Sequence, residues 1–164
     1  MALYTLVHVV ISLIGIFTGL VVLGGLLSNK RLDGWTGLFL LTTVVTNLTG
    51  YGFPVDRVLP SHIVGAISLV ALAIALFARY RHHLAGGWRK TYVITAVLSL
   101  YLNVFVLIVQ TFQKVPALRE LAPTQSEPPF AISQLIVLVM FVVLGYSAVV
   151  SFRESSAAPG RQFR

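Results

Sequence analysis

Long apolar runs separated by short polar breaks fill almost the whole chain, and their lengths predict five membrane-crossing helices. The runs are Leu3–Leu27, Trp35–Phe53, Ser61–Ala78, Thr91–Phe112 and Ala131–Phe152. Each is close to the ~20 residues that cross ~30 Å of hydrocarbon at 1.5 Å per residue. Backbone groups in lipid find no water, so they must pair within their own segment, and each run is therefore read as a helix. No short alternating segments of the kind that build an outer-membrane barrel stand out. The expected fold class is all-α: a five-helix transmembrane bundle over residues 1–152, then a polar tail, 153–164, whose composition predicts disorder. The first run has no basic segment before it and no A-x-A site after it, so it reads as an uncleaved helix rather than a secretion signal.

Composition agrees with that reading. Hydrophobic residues make up 57% of the chain and charged residues 10%, against roughly 25% charged in a soluble domain. The mean hydropathy is +0.88. There are no cysteines, which excludes disulfides, thiolate nucleophiles, iron–sulfur clusters and Cys-ligated zinc. The formal charge of +7 would suit nucleic acid. The basic residues sit at the ends of apolar runs, however, where lipid headgroups meet them instead.

Those same charges predict a direction. Lys30 and Arg31, then Arg79, Arg81, Arg89 and Lys90, then Arg153, Arg161 and Arg164 fall on one side; Arg57, Lys114 and Arg119 fall on the other. Positive loops stay in the cytoplasm, so the N-terminus is expected outside and the C-terminus inside. Trp35 and Trp88 then mark the inner interface, and Tyr4, Tyr51 and Phe130 the outer one.

With direction set, polar residues collect near the outer face. His8 lies about 8 Å along the first helix, five residues at 1.5 Å each. Asn47 and Thr49 end the second helix, His62 opens the third, Gln110 and Gln113 close the fourth, and Gln134 begins the fifth. His8, Ser12, Gly15 and Gly19 share one helical face, and Gly15 and Gly19 make a GxxxG that lets helices approach closely. His62 is expected to share a small-residue face with Gly65, Ala66, Leu69 and Ala73. Against this stands the plain alternative that Thr, Ser and Asn in membrane helices bond their own backbone or join helices. An ionisable His8 inside a span is harder to dismiss. His82 and His83 read as headgroup-facing. The loop after Gln113 carries Pro116, Pro123, Pro128 and Pro129, which favour extended segments or fixed turns over coil. Folded over the outer face, it would bring Gln125, Ser126 and Glu127 near the histidines.

Two chemistries fit this set. A b-type haem needs two axial ligands, and His8 and His62 are the candidates for its iron, with Arg57 and Lys114 for the propionates. A quinone would use His8, His62, Gln110, Gln134 and Asn47 as hydrogen-bonding groups for electron transfer. A small-molecule transporter is a further option, although no acidic residue lies in any span to carry a cation. The competing class is an accessory subunit that docks in a larger membrane complex, or self-associates, through Gly15 and Gly19. No H-E-x-x-H or G-x-S-x-G occurs. Finally, LAPTQSEPPF, with YLNVFVLIVQ before it, resembles segments of small bacterial inner-membrane proteins. The resemblance covers about the last two helices and their loop. It implies a bacterial inner-membrane location and carries over no activity and no functional residues.

Overall fold

The apolar runs fold as helices in a computed structural model that describes residues 2–54 and 60–153. Six α-helices follow one another: α1 Ala2–Leu27, α2 Asp33–Gly50, α3 Pro60–Leu76, α4 Gly87–Lys114, α5 Pro116–Leu121 and α6 Pro128–Ser151. A π-helical turn, Phe77–Arg81, extends α3. Among the described residues there is no strand. The tail beyond Arg153 and the segment holding Asp56 and Arg57 lie outside the described residues.

Four helices are long and apolar enough to cross a membrane: α1, α3 with its π-turn, α4 and α6. The second run forms a helix as expected but does not reach that mark, because threonines and Asn47 dilute its leucines. Its polar side is turned inward, with Thr36, Thr42 and Thr43 all buried.

Contacts at both ends make the helices antiparallel neighbours. At one end, Tyr4 of α1 bonds the Thr49 carbonyl of α2, Tyr51 stacks on His62 of α3, and Phe112 of α4 meets Phe130 in the first turn of α6. At the other, Arg79 after α3 pairs with Asp33 of α2, His82 stacks on Trp88 of α4, and the Arg153 backbone N–H after α6 bonds Asn29 after α1. This second end carries seven of the nine described lysines and arginines, and is called the basic end below. In the lateral packing α2 stands between α1 and α3, while α4 touches α1, α2, α3 and α6.

Between membrane helices water supplies no hydrophobic drive, so close packing must hold the bundle together. Gly19 shows how. A Cβ there would stand 2.6 Å from Leu100 and 2.8 Å from the Phe39 ring. At Gly15 it would stand 3.2 Å from the Thr42 hydroxyl. The GxxxG face therefore seats α1 against α2 and α4 within one chain. The expectation that Gly15 and Gly19 join two copies, or dock in a larger complex, is corrected accordingly: both glycines are buried. Large apolar side chains instead line the outside, among them Leu41, Val70, Ile94, Ile136 and Val142, an exterior consistent with lipid contact.

Two further expectations change. Ala66 and Ala73 of α3 are exposed, and the packed stripe runs through Ser68, Leu72 and Ala75, with Gly65 against Tyr51 and Asn47. The proline-rich loop is not extended throughout. Pro116 opens α5, while Pro128 and Pro129 open α6. Proline suits a first helical turn because its missing N–H would find no helical partner there anyway.

Candidate functional site

The end opposite the basic one gathers the sequence-predicted residues, and α2 organises them. Thr42 and Thr49 of α2 face α1, with Phe53 just beyond the helix end on the same side, while Thr43 and Asn47, with the C-cap residue Tyr51, face α4 and α3. His8 sits against the first of these faces. Its Nδ1 lies 2.8 Å from Thr49 Oγ1, and its ring meets the Phe53 ring edge-on at 5.1 Å. Gly50 leaves room beside it, since a Cβ there would sit 3.9 Å from His8 Cε1.

Thr49 Oγ1 also lies 2.7 Å from the Val45 carbonyl, one turn back on its own helix. With its hydrogen directed there, Oγ1 accepts from the imidazole, and the matching tautomer carries the proton on Nδ1 and the lone pair on Nε2. Fixing one ring nitrogen this way is how proteins orient an imidazole that uses the other. Tyr4 frames the same corner, donating to the Thr49 carbonyl at 2.6 Å.

His62 approaches a different face of α2. Its ring stacks on Tyr51 at 5.2 Å, and Tyr51 Oη donates to the His62 carbonyl at 2.7 Å. The two histidines thus belong to neighbouring but separate corners, divided by α2.

The remaining candidates spread out. Asn47 is tied into the α2–α3 seam, its Nδ2 donating to the Thr43 carbonyl at 2.8 Å and to Ser68 Oγ at 3.2 Å. Asn103 reaches Thr43 Oγ1 more weakly, at 3.4 Å. Both act as joints between helices. Thr18, Thr42, Thr95 and Ser99 bond carbonyls one turn back on their own helices, the ordinary membrane behaviour. Gln134 is buried between α6 and α4, donating to the Phe105 carbonyl at 3.3 Å, while its Oε1 has no partner. Gln110 is half-buried on α4. Lys114, exposed at the end of α4, lies within electrostatic reach of His8. Arg57 falls outside the described residues. Among the described residues no group of three or more His, Asp or Glu side chains forms a metal cluster.

The loop caps α4. Gln125 accepts from Gln113 at 3.2 Å and donates to the Val109 carbonyl at 2.9 Å. A shallow cleft of about 370 Å³ opens there, lined by residues including Phe112, Arg119 and Gln125. Glu127 holds the turn together. Slight desolvation raises its carboxyl, but hydrogen bonds from the Thr124 hydroxyl and from the Glu127, Thr124 and Ser126 backbone outweigh this and hold it below the usual range.

Sequence reasoning missed one constellation, at the basic end. Arg79 was counted as a loop cation, yet it is 4% exposed. It pairs with Asp33 and sits over the buried Tyr92 ring at 5.3 Å. A π-turn, common at functional sites, carries it inward. No signal in the residue pattern announces such a turn. No known protein family, curated protein or solved structure matches the chain.

Proposed function

We propose that the chain is a five-helix protein of the bacterial inner membrane, N-terminus outside, which binds a quinol-type amphiphile at its outer end for electron transfer. The observation that carries this reading is the bare Nε2 of His8 on a ring pinned by Thr49 and bordered by Phe53 and Gly50. A lone pair beside aromatic surface suits a hydroxyl donor on a flat ring, so the reduced, hydroxyl-bearing form is favoured over the quinone. Lys114 adds positive charge near the site. A b-type haem held by His8 and His62 is less favoured, because the two rings meet different faces of α2.

Two features support the five-span, N-out reading. Helix α2 is tied to α1 at one end through Thr49 and to the turn after α3 at the other through Asp33, which supports reading it as a fifth crossing. The basic end holds seven described cations against two, Lys114 and Arg119, at the other, and the richer side is the cytoplasmic one.

The test is a quinol titration of the purified protein in nanodiscs, followed by intrinsic fluorescence, beside an absorption spectrum. We expect saturable binding that His8→Ala abolishes, that Thr49→Val weakens by releasing the ring, and that Lys30→Ala at the other end leaves alone. Undiminished binding by His8→Ala refutes the site. A Soret band with sharp reduced bands would turn the reading to haem. A colourless protein that ignores quinol and co-purifies with a larger complex would turn it to an accessory subunit.

A further inference from the structure

Buried apolar side chains are not spread evenly along the bundle. The continuous core runs through Val22 and Leu26 of α1, Phe39 of α2, Leu72 of α3, Leu100 of α4 and Phe141 of α6. Every helical member of that core lies in the half of its helix nearer the basic end. Toward the His8 end, residues 2–14 of α1, 44–50 of α2, 60–67 of α3 and 104–111 of α4 include no buried residue. On α6 that half buries Gln134 alone.

Close packing is what keeps membrane helices together, so the two halves are held by different means. The basic half is clamped. Gly19 seats α1 against Leu100 and Phe39, and Asn29 accepts from the Arg153 N–H. The His8 half is pinned chiefly by single polar contacts. Tyr4 and His8 on Thr49 join α1 to α2, Tyr51 on His62 joins α2 to α3, and Gln134 on Phe105 joins α6 to α4. These contacts sort the helices into two sets, α1 to α3 and α4 with α6. Among the described residues, no hydrogen bond or ring contact joins the sets on the His8 side of the Thr43–Asn103 pair. A region with few buried apolar contacts opens at low free energy, and a body clamped at one end hinges where the clamp stops.

We propose that the helices part along this seam at the His8 end while the basic half stays closed, opening the bundle sideways to lipid. An amphiphile dissolved in the adjoining leaflet then reaches His8 through the gap. That route rests on the quinol reading above; the parting itself does not.

The chain has no cysteine, so introduced pairs carry spin labels without background. In lipid nanodiscs, Leu6→Cys with Leu135→Cys spans the seam at the His8 end, and Leu20→Cys with Tyr146→Cys spans α1 and α6 in the basic half. All four side chains are exposed, so the labels leave the packing intact. Double electron–electron resonance should give a distance distribution about twice as broad for the first pair as for the second. Equal widths, or a broader basic pair, overturn the parting. Added quinol should narrow the first distribution and leave the second alone. If quinol binds by fluorescence titration and the first distribution stays as it was, the route falls. If quinol does not bind and the first pair is still the broader, the quinol reading and the route fall together while the parting stands.

Discussion

Replacing Gly19 by alanine adds one methyl group at the tightest helix crossing described here. The new Cβ would stand 2.6 Å from Leu100 Cδ1 and under 3.0 Å from two Phe39 ring atoms. Leu100 and Phe39 are each 1% exposed, so neither has free space to retreat into. Overpacking of this kind costs about 1–3 kcal/mol. Alanine also favours helix over glycine by about 1 kcal/mol, which offsets part of the cost. The net expectation is a loss of up to about 2 kcal/mol. Gly24 supplies the control, because a Cβ there meets nothing within 4 Å. Gly24→Ala should keep only the helical gain, leaving the two variants about 1–3 kcal/mol apart. Reversible unfolding in mixed micelles, followed by circular dichroism, measures that gap. Equal stability of the two variants would refute the packing argument. So would a change of oligomeric state in Gly19→Ala by sedimentation equilibrium, since that would return the GxxxG to an interface between chains.

Two predictions follow from the charged groups. Asp33→Ala leaves the buried Arg79 without its counterion and should cost up to about 3 kcal/mol, the low end for a buried pair because Asp33 itself is exposed. Arg79→Met keeps the apolar stem and leaves Asp33 in water, so it should cost less; the same unfolding assay ranks the pair, and the reverse order would show that Arg79 is not buried as described. Glu127 has a lowered carboxyl pKa, so its contribution to the turn is complete above the ordinary carboxylate range and disappears as pH falls through the depressed value. Amide exchange at Thr124 and Ser126 should therefore speed up, relative to intrinsic rates, on acidification, and Glu127→Gln should remove that dependence.

The helices were legible because lipid imposes one backbone solution on every apolar run. His8 was legible too, as an ionisable group inside a run, and helical spacing aimed it at a neighbour, which proved to be Thr49 of α2. Which neighbours meet is a tertiary matter, and there the pattern fell short. Spacing alone showed that Gly15 and Gly19 share a face, and nothing in it distinguished Phe39 and Leu100 of the same chain from a second copy. The small-residue stripe of α3 was placed one face away, since Ala66 and Ala73 are as small as the residues that pack. Arg79 was misjudged for a different reason. Counting loop charges treats each as solvated, whereas one wide π-turn rotates this residue into the bundle.

The inward-facing threonines and Asn47 of α2 also bear on how the chain enters a membrane. Alone, this helix would carry its polar side into hydrocarbon, and it is the one long helix not apolar enough to qualify by itself as a span. In the five-span reading it must therefore partition as a hairpin with α1, whose Gly15 and Gly19 face offers immediate cover and whose five-residue connection, 28–32, keeps the partner at hand. Biogenesis then proceeds with α1 as a chaperone in cis. Lengthening that connection beyond Asn29, whose bond to the Arg153 N–H ties α1 to α6, should slow insertion.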